Sequence, residues 1–219
     1  MPDRQRRGVF ITFEGPEGSG KSSQSRWLVR RLRRLGYEVV WVRDPGSTSL
    51  GRWTRRVLLH TRARFSPMAE ALLFIGGRVQ LVEELIEPSL RQGTIVVCDR
   101  FHDATVAYQG FGGALDVSWL NRLGRCAIHH VMPQVTILLD LPVGRGFARL
   151  RRMHDRMERK TVRFHQRVRR GYLTLARREP RRFAVLDASQ AIPAIRRQIE
   201  ALVLRRLGRR SIKTSRKRS

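Results

Sequence analysis

Gly15-Pro16-Glu17-Gly18-Ser19-Gly20-Lys21-Ser22 is the stretch whose reading decides the fold. It fits G-x-x-x-x-G-K-[ST], a phosphate-binding loop when a strand precedes it and a helix follows. Both flanks are present. Val9 to Phe13 is a short β-branched and aromatic run that reads as a buried strand. Beyond Ser22 the apolar residues Leu28, Leu32 and Leu35 recur at helical spacing. The glycines let successive backbone N–H groups turn inward around phosphate oxygens, and the helix N-terminus adds partial positive charge. Lys21 is expected to reach the β and γ phosphates and the Ser22 hydroxyl to ligate Mg2+, with Ser23 closing the donor-binding set.

The remaining chain extends this unit in one pattern. Glu38 to Val42 reads as a second strand, running into the turn Arg43-Asp44-Pro45-Gly46-Ser47-Thr48. Gly51 to His60 reads as a short helix. Ser66-Pro67 opens a long helical stretch to about Arg91, which Pro88 should kink or restart. Gly76-Gly77 inside it is costly, and close approach by a ligand or another backbone would explain both. Thr94 to Cys98 is apolar on both faces, as a central parallel strand is, and ends in Asp99-Arg100, where open α/β sheets bind ligands. Val135 to Leu141 and Phe183 to Leu186 supply a fourth and a fifth strand. Helices are expected near residues 117–129, 143–153, 161–178 and 192–207. Strands alternating with helices predict an α/β fold of three layers, the P-loop NTPase type: a central parallel sheet of about five strands with helices on both faces and a helical lid. The expected organisation is a flexible basic N-terminus over 1–8, a single domain over 9–207 and a basic disordered tail over 208–219.

Net charge is +27, from 45 basic and 18 acidic residues, and 41 of the basic residues are Arg. The segment Arg145 to Arg182 and the tail carry most of the excess. Such a surface either attracts polyanions in a salt-dependent way or uses Arg as its solvated surface cation. The two cysteines, Cys98 and Cys126, are not in C-x-x-C spacing. They imply a reducing compartment, so a cytoplasmic location is expected. No stretch has the length and apolarity of a membrane span. No His or Cys cluster suggests a transition metal.

A phosphate loop does not by itself separate a kinase from other nucleotide hydrolases, but the chain's size suits a small-molecule kinase. At this point the sequence resembles the thymidylate kinase family of nucleoside-monophosphate kinases. The matching pieces are Phe10 to Gly15 with the loop, Arg43 to Thr48, Phe74 to Leu81, Asp99-Arg100-Phe101 with Ala107-Tyr108-Gln109-Gly110, Leu138 to Pro142, and Asp155-Arg156-Met157-Glu158. They occur in the family's order over about residues 9–189.

The resemblance implies transfer of the γ-phosphoryl of ATP to dTMP, with Mg2+, in a homodimer. It implies that Glu17 accepts a hydrogen bond from the acceptor's 3′-hydroxyl, that Phe74 stacks on thymine and that Arg78 bonds its O4. Arg100 would hold the dTMP phosphate, and Asp99 would act on Mg2+, its waters or the attacking phosphate. Tyr108 would exclude a 2′-hydroxyl, and Thr105 would contact the N3 edge. A lid over about 145–160 carries Arg149, Arg151, Arg152 and Arg156. Because the loop has no Arg after Glu17, the transferring phosphoryl should be met from the lid, by Arg156 first and Arg152 second. The sequence departs from the family at four points. Asp44, counted among the substrate-binding residues, stands where Glu is usual. Ser47 replaces a second Gly, Phe101 a Tyr or His, and Ala104 a Ser. The alternatives are a related deoxynucleotide or nucleoside kinase, and a nucleic-acid-binding protein whose phosphate loop has weak or no kinase activity.

Overall fold

The structure, a computed structural model, describes residues 8–61, 63–150 and 155–215. Five parallel strands form one sheet: β1 (Phe10–Glu14), β2 (Val39–Arg43), β3 (Ile95–Asp99), β4 (Val135–Asp140) and β5 (Phe183–Asp187), in the order β2-β3-β1-β4-β5. β1 therefore pairs with β3 on one side and β4 on the other, Ile11 lying beside both Val97 and Val135. The chain leaves this central strand in both directions, which opens a crevice at its carboxyl end where the phosphate loop begins.

Side-chain alternation distributes the core. Ile11, Phe13, Val97, Ile137 and Leu139 face α1 (Lys21–Arg34) and α9 (Ile192–Ser215), where Leu28, Leu32, Ile195, Ile199 and Val203 meet them. Phe10, Val96 and Cys98 face the other way, onto Leu81, Val82, Ile86 and Phe101. A further cluster joins Leu138 to α8 (Val162–Arg178) through Val168, Tyr172 and Leu175. The two-faced sheet follows directly from strands that are apolar on successive residues.

The long helical stretch after Pro67 is divided. α3 (Pro67–Leu81) passes through one π-helical turn (Val82–Ile86) into α4 (Glu87–Arg91). Pro88 stands in the first turn of α4, directly after the π-helical turn. Only one of the paired glycines is tightly packed. A Cβ on Gly77 would lie 3.1 Å from Thr54 Oγ1 of α2 (Ser49–His60), whereas Gly76 is exposed with nothing near it. The close neighbour is thus a side chain of a packed helix, neither ligand nor backbone.

Three other segments differ from the sequence reading. Residues 102–112, given no element, form α5 (His102–Thr105) and a π-helical segment (Val106–Gly112). α6 (Val117–Ala127) stops short because His129 and His130 take positive φ. α9, expected to close near Leu207, continues to Ser215 and into the stretch read as a disordered tail. Gly208 lowers helix propensity there but no proline breaks the run. α7 (Val143–Arg149) covers the first part of the lid stretch, residues 155–160 are turns, and Arg151 and Arg152 lie outside the described residues. Among the described residues no helix is long and apolar enough to cross a membrane.

Candidate active site

At the phosphate end, Gly15, Gly18 and Gly20 all have positive φ. Gly18 also has no room for a side chain, since a Cβ would lie 2.2 Å from the Gly146 carbonyl of α7. Gly20 caps α1 with no side-chain hydrogen bond, so the first N–H groups of that helix remain available to an anion. Lys21 is buried and folds back, its Nζ donating to Pro16 O at 2.7 Å and to Ser19 Oγ at 3.4 Å. Burial, reinforced by the neighbouring Arg100 charge, brings its pKa down to about 8. A polyphosphate at this point would reverse that shift.

The donor set for a hard cation stands beside it. Ser22 Oγ donates to Asp99 Oδ2 at 2.5 Å, joining the first turn of α1 to the carboxyl end of β3. A hydroxyl and a carboxylate at the rim of a wet cleft fit Mg2+, which keeps most of its waters and takes one or two protein oxygens. Arg43, at the end of β2, holds the Asp99 carboxylate at 3.3 Å.

At the other end, Arg78 of α3 is fully buried with Asp44 from the turn after β2, Nε to Oδ2 at 2.5 Å. Its Nη2 donates to Thr105 Oγ1 at 2.8 Å, and its guanidinium lies 5.6 Å above the Phe101 ring. One oxygen of Asp44 and Nη1 of Arg78 remain buried without partners. Buried polar atoms are rarely left so, and among the described residues neither atom has a partner. Phe101, in place of a polar aromatic, is core: it meets Phe10 edge to face at 4.9 Å. Ser47 does no harm in the turn, since the positive φ falls on Gly46 and Ser47 Oγ accepts from Arg43 N at 2.8 Å.

Arg100 sits between these ends, with positive φ at the exit of β3. Its Nη2 binds Glu17 Oε1 at 2.8 Å and Tyr108 OH at 3.1 Å, and its Nη1 reaches Tyr172 OH at 3.1 Å. Tyr108 OH also donates to Glu17. Burial alone would raise the Glu17 pKa, but Arg100 and Lys21 outweigh it and lower the group to about 2, so Glu17 is ionised. Behind Arg100, Glu14 is fully buried and accepts from Phe101 N at 2.7 Å and Tyr172 OH at 2.8 Å. Burial, then the Asp103 charge, raises its pKa to about 8.

One cavity of about 330 Å3 connects the two ends. Of the residues chosen from sequence, Glu17, Gly18, Gly20, Lys21, Ser22, Ser23, Asp44, Phe74, Arg78, Asp99, Arg100, Thr105 and Tyr108 line it. Gly15, Pro16 and Ser19 stand behind the wall as loop backbone. Arg156 does not line it: its Nη1 is paired with Glu70 at 2.7 Å and its Nε with Leu58 O at 2.9 Å. Arg149 donates to Ala188 O at 2.9 Å.

Sequence reasoning passed over Arg43, Arg55 and Gln109, which also line the cavity. Arg55 had no signal, being one arginine among 41. Among the described residues its one hydrogen bond is a 3.5 Å contact to Pro45 O, and burial together with Arg43 lowers its pKa. Arg43 and Gln109 lay inside the quoted motifs, and only their company marked them. Arg43, Arg55, Arg78, Arg100 and Lys21 line the cavity together with the carboxylates of Glu17, Asp44, Asp99, Asp155 and Glu158, and among the described residues Arg55 makes no ion pair with any of them, which leaves its guanidinium for an anionic ligand.

Residues 13–199 match the family model described as thymidylate kinase. The thymidylate kinase of Thermomicrobium roseum is 47% identical over 82% of this chain and 87% of its own length. That of Geobacter sulfurreducens is 41% identical over 93% of this chain and its whole length. The crystal structure of thymidylate kinase from Ehrlichia chaffeensis superposes with a TM-score of 0.75 at 32% identity, covering 90% of this chain and 99% of that one.

Proposed function

The chain belongs to the thymidylate kinase family and phosphorylates dTMP to dTDP with ATP, on the path to dTTP, and from that premise we propose how its cavity divides the work. The donor triphosphate lies on the amides of the 15–20 loop and on Lys21. Ser22 and Asp99 would hold Mg2+, which when bound would supply Lewis-acid stabilisation of the phosphate charge. The acceptor lies between Phe74 and Arg78, its base edge toward the unpartnered Arg78 Nη1 and Thr105, its phosphate between Arg100, Arg55 and Arg43. Glu17, ionised and tethered by Arg100 and Tyr108, accepts from the 3′-hydroxyl. The Tyr108 ring fills the space a 2′-hydroxyl needs.

With both ligands in place, an oxygen of the dTMP phosphate attacks the γ-phosphorus in line. The bond from that phosphorus to the β-bridging oxygen breaks, and ADP leaves with the electron pair. No covalent enzyme intermediate forms, and the attacking oxygen is already anionic, so no general base is needed. The chain's part is positioning and charge: fixed cations cost no reorganisation when the phosphoryl moves.

The single observation that carries the acceptor site is the buried, unpartnered Arg78 Nη1 and Asp44 Oδ1 beside a cavity whose other end is the phosphate loop. The test is initial-rate phosphorylation of dTMP, dUMP, dGMP and thymidine. We expect dTMP to lead, with only about 1–3 kcal/mol over dUMP because one methyl group separates them. Were dTMP the poorest acceptor, the roles of Phe74, Arg78 and Tyr108 would be wrong.

Three further features complete the proposal. Leu50 and Trp53 on α2 and Met68 and Leu72 on the adjacent α3 are exposed apolar side chains, which suits burial against a second copy. A Trp53→Glu variant sedimenting as the wild type does would count against that dimer. Arg163, Arg170 and Arg177 are exposed at seven-residue spacing along α8, a stripe able to bind polyanions non-specifically. Cys98 and Cys126 are both unpaired, in keeping with the reducing cytoplasm.

A further inference from the structure

We propose that Glu70 is a positioning residue that holds two walls of the acceptor cavity in register, and that Arg156 acts through it as a strut. Glu70 lies in the first turn of α3 and is 1% exposed. A carboxylate so buried is tolerated only when paired and fully hydrogen-bonded. Its partners come from two separate segments. On Oε1 it takes Arg156 Nη1 at 2.7 Å, and on Oε2 Gln109 Nε2 at 3.1 Å; Lys160 Nζ lies 3.4 Å from both oxygens.

Each partner belongs to a wall. Arg156 and Lys160 bracket the turn whose Met157 and Glu158 line the cavity, and Asp155 lines it from the preceding position. Arg156 is held through its backbone N, Nε and Nη1. Its backbone N donates to Leu59 O at 3.1 Å and its Nε to Leu58 O at 2.9 Å, satisfying the last carbonyls of α2 with a cation where the helix dipole favours one. Its guanidinium rests 5.0 Å over the Phe65 ring, and the remaining Nη2 is buried without a partner among the described residues. An arginine held by α2, α3 and Phe65 is built into the wall and is not the group that meets the moving phosphoryl.

Gln109 is the other arm. A carboxylate can only accept, so Glu70 fixes which end of the Gln109 amide turns toward it. With Nε2 committed to Glu70, Oε1 takes no bond among the described residues and is the atom left for a ligand. An acceptor there, in the same cavity as Thr105, would join Thr105 at a base edge that carries an N–H, as thymine N3 does, and does not suit one that carries a bare ring nitrogen. Glu70 thereby sets base discrimination at one remove while tying it to the position of the 155–158 turn.

This inference rests on the dTMP kinase reading, and the test separates the two. Initial rates with dTMP and dCMP are measured for the wild type, Glu70→Gln, Arg156→Gln and the double variant. Each single change is expected to lower kcat/KM for dTMP about tenfold, and the double by no more than the worse single, because residues of one network are strongly coupled. Gln at position 70 can donate as well as accept, so it frees the Gln109 amide to turn. The dTMP preference over dCMP should then fall by about tenfold, which a merely structural loss would leave unchanged. Losses that multiply, or an unchanged preference, overturn the proposal while the kinase reading stands; a wild type that does not phosphorylate dTMP overturns both. If Glu70→Gln does not fold, Arg156→Lys decides. It keeps the ion pair and should recover most of what Arg156→Gln loses, and no recovery would mean that Arg156 serves directly.

Discussion

Arg78→Met should injure stability and acceptor binding by separate amounts, and the structure says how to pull them apart. The Arg78–Asp44 pair spans 2.5 Å with side chains 2% and 1% exposed, so the desolvation of both charges is essentially complete. Removing one partner of such a pair costs about 3–5 kcal/mol, because the other charge stays buried without compensation. For a domain of this size that is a fall in Tm of about 6–20 °C. Replacing both residues, Arg78→Met with Asp44→Leu, should return stability to within about 2 kcal/mol of wild type, since apolar isosteres do not need each other. Activity should not return with it. The open Nη1 is a charged donor, worth about 1.5–3 kcal/mol to a ligand, so kcat/KM for dTMP should fall roughly 10- to 150-fold in both variants. The pH dependence has a definite sign. Burial raises the Asp44 pKa even with Arg78 present, and without Arg78 nothing opposes it. A group raised in the folded state loses stability as pH rises, so the single variant's deficit should shrink on acidification. Urea unfolding at several pH values and a coupled ADP-release assay measure both quantities. A single variant within 1 kcal/mol of wild type, or a double variant that regains activity along with stability, would refute the reasoning.

Glu14, raised to about 8 from 4.5, contributes stability in full below about pH 4.5 and loses it as pH climbs through 8. Glu14→Gln should therefore gain on the wild type between pH 6 and 9, and parallel urea midpoints across that range would contradict this. Lys21→Met should lower kcat about 10²–10³-fold, the usual scale for one lost transition-state donor. Its Tm should hold, because among the described residues the buried ammonium hydrogen-bonds a carbonyl and a hydroxyl and makes no direct ion pair; a rate within tenfold of wild type would remove Lys21 from the mechanism. Tyr108→Phe, losing its bonds to Glu17 and Arg100 but keeping the ring, should raise KM for dTMP about tenfold with sugar discrimination intact. Tyr108→Ala should admit the ribonucleotide, and no change in the ratio of deoxy to ribo acceptor would exclude the ring from that role.

The parts of this molecule that could be read in advance are those in which a residue's chemistry is tied to its neighbours along the chain. The loop needed only its glycines, Lys21 and two flanks, and the sheet needed only runs of β-branched residues between helical patterns. The segment 102–112 hid because Gly110 and Gly112 dilute any helical period there, and its turns widen to the π form. Arg156 shows a harder limit. In sequence it is a cation in a basic lid stretch, indistinguishable from a phosphate ligand; only the arrival of Glu70, from a helix far back in the chain, turns the same guanidinium into a wall fixture. In a chain with 41 arginines the residue type carries little information, and the carboxylates carry most of it. With only 18 acidic side chains, the buried ones decide where several of the arginines are held. Asp44 selects Arg78, Asp103 selects Arg182 at 2.6 Å and Glu70 selects Arg156, whereas Arg55, which no carboxylate binds among the described residues, remains open to an anionic ligand.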